Sequence, residues 1–290
     1  MRVLISTDSS CLLKKGIFDK YGISVFPLNV IVNGEEFLDG VTIDQVQLEE
    51  DMRKNKNIKT STPPLGIIIE YFEKLFQEGY DHIVHFTISS KLSSMRDLFK
   101  NVAEQNFSGK VTVIDSYSLG PAMLSQVLYA YECLQNGMEI KQIVKDVEDR
   151  KMDNYFCFIP ENLTALKNGG RISPAAALIG NAIGIKPVIL LKDGELQKVA
   201  ITRHVRKTLM ESFDAHLTTH SPKEYDYSMV VFGVKEGVVE YLKEKMEEKL
   251  GGEKLLVGNV PINASAHCGP GTIGLVITKK INGKSLYSLV

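Results

Sequence analysis

Residues 263–274 read NASAHCGPGTIG, a histidine beside a cysteine and then Gly-Pro-Gly. Two chemistries use such residues. Either Cys268 is a nucleophile with His267 as its base, or His267 donates a hydrogen bond to an anion. Neighbouring side chains of an extended segment point to opposite faces, which argues against a dyad of adjacent residues. Cys268 then reads as a small apolar filler. His267 reads as an anion donor or as a hydrogen-bonded structural histidine.

Three hydroxyl-rich turns could share such an anion: ISTDSS (5–10), KTSTPP (59–64) and TISSKLSS (87–94). All three lead into a predicted helix, and two directly follow a predicted strand. Helix N-termini offer unpaired backbone N–H groups and a positive dipole end, and Ser and Thr add neutral donors. Together they suit a carboxylate or a phosphate. Taken singly, the same residues are ordinary helix caps. LKNGGRISP (166–174) adds Arg171 behind two glycines that permit a sharp turn or a close approach. Its guanidinium either forks onto an anion or stands exposed behind a helix stop.

Other engines are missing. There is no GxxxxGK[ST], HExxH or GxSxG segment. The six histidines do not fall at metal-ligand spacing, and Cys11, Cys133, Cys157 and Cys268 are far apart, so neither a metal site nor a disulfide framework is expected. With 290 residues and a net charge of -1, no global field draws the chain to nucleic acid. Free thiols and an N-terminus that turns polar at once suggest a cytoplasmic protein, and no apolar run reaches the ~18 residues of a membrane helix.

These residues need a frame. RVLIS (2–6), DHIVHFTI (81–88) and KVTVID (110–115) are β-branched runs suited to burial on both faces, each followed by an amphipathic stretch, as in a mainly parallel sheet. A Thr42/Gln45 capping box opens one helix. Prolines open another at residues 63–64, and it closes at Gly79. Two more helices fill 119–151, broken at Asn136-Gly137. From 154 the rhythm changes to NYFCFIP, a short helix stopped by two glycines, a small-residue helix PAAALIGNAIG (174–184), and a hairpin around Asp193-Gly194. The expected fold class is α/β with two domains: an N-terminal α/β domain over 1–157, a C-terminal α/β domain with a mixed sheet over 158–280, and a peripheral tail, 281–290.

In this order the segments TDSS (7–10), KTSTPP (59–64), ISSKLSS (88–94), VIDSYSLG (113–120), LKNGGRIS (166–173), IKPVILLKDGEL (185–196) and HCGPG (267–271) resemble the DegV family over about residues 3–278. The resemblance implies a long-chain fatty acid held in a cleft between two α/β domains. Its carboxylate would be gripped by Thr60 or Ser61 and by Ser93, with Arg171 and His267 near the same anion and Thr62, Ser94, Asp8 and Gly170 beside it. It further implies the binding subunit of a fatty acid kinase, not itself an enzyme and without a cofactor. A separate kinase subunit carrying ATP phosphorylates the acid, and an acyltransferase takes the acyl phosphate toward phospholipid synthesis. Arg203 matches a position associated with partner contact, and transient membrane contact is compatible with such a role. Two places depart from the family pattern: Ser94-Met95-Arg96 replaces small residues, and Thr62 and Pro64 stand where a glutamine and a small polar residue are usual. Readings of another class remain: a hydrolase or transferase with Ser93 or Cys268 as nucleophile, or a lipid-sensing regulator.

Each buried methylene contributes ~0.8 kcal/mol, so about sixteen carbons give a gross gain on the order of 10 kcal/mol, less the costs of association and ordering. The carboxylate cannot be buried bare. The acid end is therefore expected near the surface and the tail inside, with PAAALIGNAIGI (174–185) and GIIIEYF (66–72) as candidate lining.

Overall fold

The computed structural model describes residues 1–161, 163–172 and 184–290. Along the first half the elements are β1 (Val3–Asp8), β2 (Ser24–Phe26), β3 (Asn29–Val32), β4 (Glu35–Leu38), α1 (Gln45–Arg53), β5 (Ile58–Ser61), α2 (Leu65–Gln77), β6 (His82–Thr87), α3 (Met95–Asn106), β7 (Val111–Asp115), α4 (Gly120–Gln135) and α5 (Ile140–Arg150). Then come β8 (Tyr155–Ile159), α6 (Thr164–Asn168), β9 (Lys186–Lys192), β10 (Glu195–Thr202), α7 (Val205–Leu217), β11 (Tyr225–Phe232), α8 (Glu236–Glu247), β12 (Leu256–Asn259), α9 (Ile262–Cys268), β13 (Thr272–Lys279) and α10 (Leu286–Leu289).

The three β-branched runs become β1, β6 and β7, which join β2 in an all-parallel sheet ordered β2-β1-β6-β7. Strands so apolar are stable only when covered on both faces, and β1 and β6 are buried beyond their first residue. The second sheet is mixed, ordered β10-β9-β8-β13-β11-β12, with only β11 and β12 running parallel. Buried along most of its length, α4 packs against β1 on one side and β13 and β11 on the other. A helix apolar nearly all round needs such a two-sided setting.

Two local expectations change. α1 is capped by Asp44, whose Oδ1 accepts from Gln47 N at 2.8 Å. Thr42 instead accepts from Leu38 N at 2.7 Å, so its hydroxyl serves the preceding turn. The turn at 59–64 leaves β5, which belongs to a small antiparallel sheet, β4-β3-β5, and not to the parallel one. That sheet is seeded by Asn33-Gly34, both at positive φ (51° and 91°), the pair a two-residue hairpin turn requires.

The hairpin at Asp193-Gly194 forms as expected, with φ of 51° and 82°. Its tip docks on the turn after β6, where Ser89 Oγ donates to Gly194 O at 2.8 Å. A Cβ on Gly194 would come within 2.6 Å of that Oγ. The C-terminal residues are anchored too. Ile281 and Leu286 are fully buried, Tyr21 donates to Leu289 O at 2.5 Å, and Asp226 accepts from Ser285 Oγ and Leu286 N. The small-residue helix expected over 174–184 lies, but for Gly184, outside the described residues.

Candidate functional site

Between the ends of β5, β6 and β7 and the mixed sheet lies a cavity of about 150 Å³. Its apolar wall includes Leu28, Ile88, Leu119, Phe156, Phe158 and Val230, with Leu191 and Leu196 from either side of the hairpin tip. GIIIEYF does not contribute: Ile68 and Phe72 of α2 are fully buried in the core, and none of residues 66–72 lines the cavity. On a helix lying against the parallel sheet, the apolar stripe is spent on the sheet.

The polar end is assembled from four segments. His267 occupies the last turn of α9, so the extended backbone expected there is replaced by a helix. Its Nε2 lies 2.8 Å from Thr60 Oγ1. Burial, and then the charge of Arg171, pushes its pKa down to about 4, so the ring is neutral at neutral pH. Behind the ring the chain has no room for a side chain, because a Cβ on Gly169 would collide with His267 Nδ1. Arg171 follows that turn, half buried, with Nε donating to Leu92 O at 3.2 Å and Nη1 to Gly169 O. Burial lowers its pKa too. Ser61 Oγ is buried with no partner in the protein. Ser93 Oγ accepts only a 3.4 Å contact from Met95 N, and Ser94 at the start of α3 makes no side-chain cap bond. The first turn of α3 therefore keeps free N–H groups where the cavity begins.

Thr60, Ser61, Ser93, Arg171 and His267 thus line one cavity, with the exposed Thr62 and Ser94 at its rim. Thr60, Arg171 and His267 also line a second, open hollow together with Lys56, Lys59 and Asn168. The polar cluster stands where an apolar interior meets an opening. Neutral donors, a helix start and one guanidinium suit a single carboxylate better than they suit a bare buried charge.

Other sequence candidates fall elsewhere. Asp8 is fully buried off the wall, its Oδ2 accepting from Ile88 N at 2.7 Å and its Oδ1 from Ser10 N at 2.9 Å, so it ties the end of β1 to the turn after β6. Gly170 is exposed and does not line the cavity; Gly169 makes the close approach. Arg203 sits in a separate basic hollow with Arg206, Lys207 and Lys235, at the starts of α7 and α8. The Cys268 thiol is buried and pushed up to about 12 by burial, and Nε2 of the adjacent imidazole is engaged by Thr60. A neutral thiol without a base is no nucleophile. Among the described residues no group of three or more His, Cys, Asp or Glu could hold a metal ion, and no helix is long and apolar enough to cross a membrane. Sequence reasoning missed Asn29 and Asn263, both on the cavity wall. Asn263 was in reach, because it precedes His267 by four residues, one turn on the same helix face.

The chain is 31% identical over 283 residues to a DegV domain-containing protein of Staphylococcus aureus (strain N315), covering 96% of this chain and 99% of that one. A DegV domain-containing protein of Clostridium perfringens is 27% identical over 285 residues, with 97% and 100% covered. Among solved structures, a DegV family protein from Thermus thermophilus described for fatty acid binding matches with a TM-score of 0.86 at 27% identity, covering 97% of this chain and 100% of that one. A stearic acid-binding protein from Eubacterium ventriosum matches with a TM-score of 0.86 at 25% identity, covering 97% and 99%. The family model for uncharacterised proteins of the DegV family matches residues 2–280. A match that takes in every strand and the whole cavity wall leaves one assignment: the chain belongs to the DegV family.

Proposed function

We propose that this chain binds a long-chain fatty acid, tail in the apolar cavity and carboxylate at the polar end. The carrying observation is the position of Thr60, Arg171 and His267, which line both the apolar cavity and the open hollow outside it. A carboxylate there is gripped by Thr60 or Ser61, Ser93, Arg171 and His267 and still faces solvent on one side. The likeness to fatty acid-binding relatives supports the same ligand class. In this reading the chain divides near residues 157–158, the N-terminal half carrying the hydroxyl turns and the C-terminal half carrying Arg171 and His267.

The protein is a cytoplasmic carrier, not the catalyst. A separate kinase subunit brings ATP to the open hollow and docks near Arg203. A carboxylate oxygen attacks the γ-phosphorus, the bond from that phosphorus to the bridging oxygen breaks, and ADP leaves. The acyl phosphate passes to an acyltransferase for phospholipid synthesis. Calorimetric titration of delipidated protein with hexadecanoate tests the binding step. Saturable one-to-one binding, weakened by Arg171→Met, supports the reading; no binding of any long-chain acid sinks it. With the kinase added, hydroxylamine traps the acyl phosphate as a hydroxamate, and a yield independent of this chain contradicts the carrier role.

A further inference from the structure

Met95 puts a bulky side chain beside the polar end. It is the first residue of α3, two positions past Ser93, and it lines the cavity while only 2% exposed. Its backbone N lies 3.4 Å from Ser93 Oγ. Side chains on a helix lean toward the helix N-terminus, which here means back over Ser93 and Ser94. The thioether has no open space to retreat into, because Phe99 and Val102 on the next turns of α3 are buried as well. The free volume is about 150 Å³, so a group added to a ligand at this end has to displace a side chain.

A carboxylate held by Ser93 accepts from its Oγ at about 2.8 Å. Carbon 2 of the acid is two covalent bonds beyond that oxygen. Met95 spans roughly 5 Å from its Cα and starts beside the same Oγ, so its side chain reaches the first carbons of the chain. We infer that Met95 selects against acids substituted at carbon 2, its side chain filling the space that a branch there needs; this rests on the fatty acid reading above. A straight chain passes the thioether in van der Waals contact. A methyl branch overpacks the same spot. One methyl of misfit in an apolar pocket changes affinity by about 10–200-fold.

The test is a titration of delipidated protein with hexadecanoate, 2-methylhexadecanoate and 15-methylhexadecanoate. The expected result is that wild type binds the 2-methyl acid about tenfold or more weaker than hexadecanoate. Met95→Ala brings that ratio down to about one and leaves the ratio for the 15-methyl acid where it was. Met95→Leu, of similar volume, keeps the wild-type discrimination. Wild type binding the 2-methyl acid as tightly as hexadecanoate overturns the inference whether or not any variant folds. A Met95→Ala protein that still discriminates, or one whose 15-methyl ratio shifts instead, overturns it too. Each of these results leaves the fatty acid reading standing. Failure of all three acids to bind wild type overturns both.

Discussion

His267 depends on its neighbours more than on its own chemistry. It is neutral and hydrogen-bonded to Thr60, and it is packed against a residue with no Cβ. The charge at the polar end therefore comes from Arg171, and the imidazole is a neutral hydrogen-bonding group oriented by Thr60. Gly169 has a φ of -75°, which alanine adopts without strain, so Gly169→Ala acts mainly through the collision with the ring, with a tight 3.1 Å approach to Ala165 O beside it. We expect Gly169→Ala and His267→Ala to weaken hexadecanoate binding alike, by about tenfold or more. Thermal unfolding of Gly169→Ala should stay close to wild type; a full-affinity Gly169→Ala protein would show that the ring is not needed where it lies. Cys268→Ala should retain its fatty acid, since the thiol is a neutral filler. Loss of every function in that variant would reinstate a thiol enzyme.

At the scale of elements, α9 is held from a distance. Asp39, 3% exposed, accepts from Ser9 Oγ at 2.8 Å and from the backbone N of Asn263 at 3.2 Å. Burial pushes Asp39 up to about 7 and Asp8 up to about 6. A carboxyl raised in this way holds its proton more tightly folded than unfolded, so both residues add stability as pH falls from about 7 toward 4. His267, pushed down to about 4, and His85, pushed down to about 3 by burial, oppose them. Their unfolded forms take up protons that the fold refuses, so the fold loses stability over the same fall. Asp39→Asn keeps an acceptor but removes one stabilising proton uptake. Its urea midpoint should therefore decline more steeply than wild type from about pH 7 to about pH 4. Parallel declines would show that Asp39 does not titrate in the fold. The long elements were legible in the sequence because burial on both faces leaves unbroken β-branched runs, as in β1, β6 and β7, and Asp193-Gly194 announced its own turn. The β3–β4 hairpin carried the same kind of signal at Asn33-Gly34. The remote cap on α9 did not, because 224 residues separate Asp39 from Asn263.

Across the whole molecule, two sheets and α4 share one core, and the cavity opens where their loops meet. The hydroxyl turns could be picked out because three of them lead into predicted helices, and Arg171 because it follows two glycines. The apolar wall could not. Phe156, Phe158 and Leu191 look like core residues in any window, and only the topology leaves space beside them. The same space distinguishes a carrier from a packed domain, and a gross gain on the order of 10 kcal/mol from a buried tail should retain a ligand through purification. Native mass spectrometry of the purified, untreated protein tests this most directly. A mass increment matching one fatty acid per chain, lost on delipidation and restored by added hexadecanoate, is the predicted result. A chain that flies at its bare mass before and after hexadecanoate is added would contradict the account.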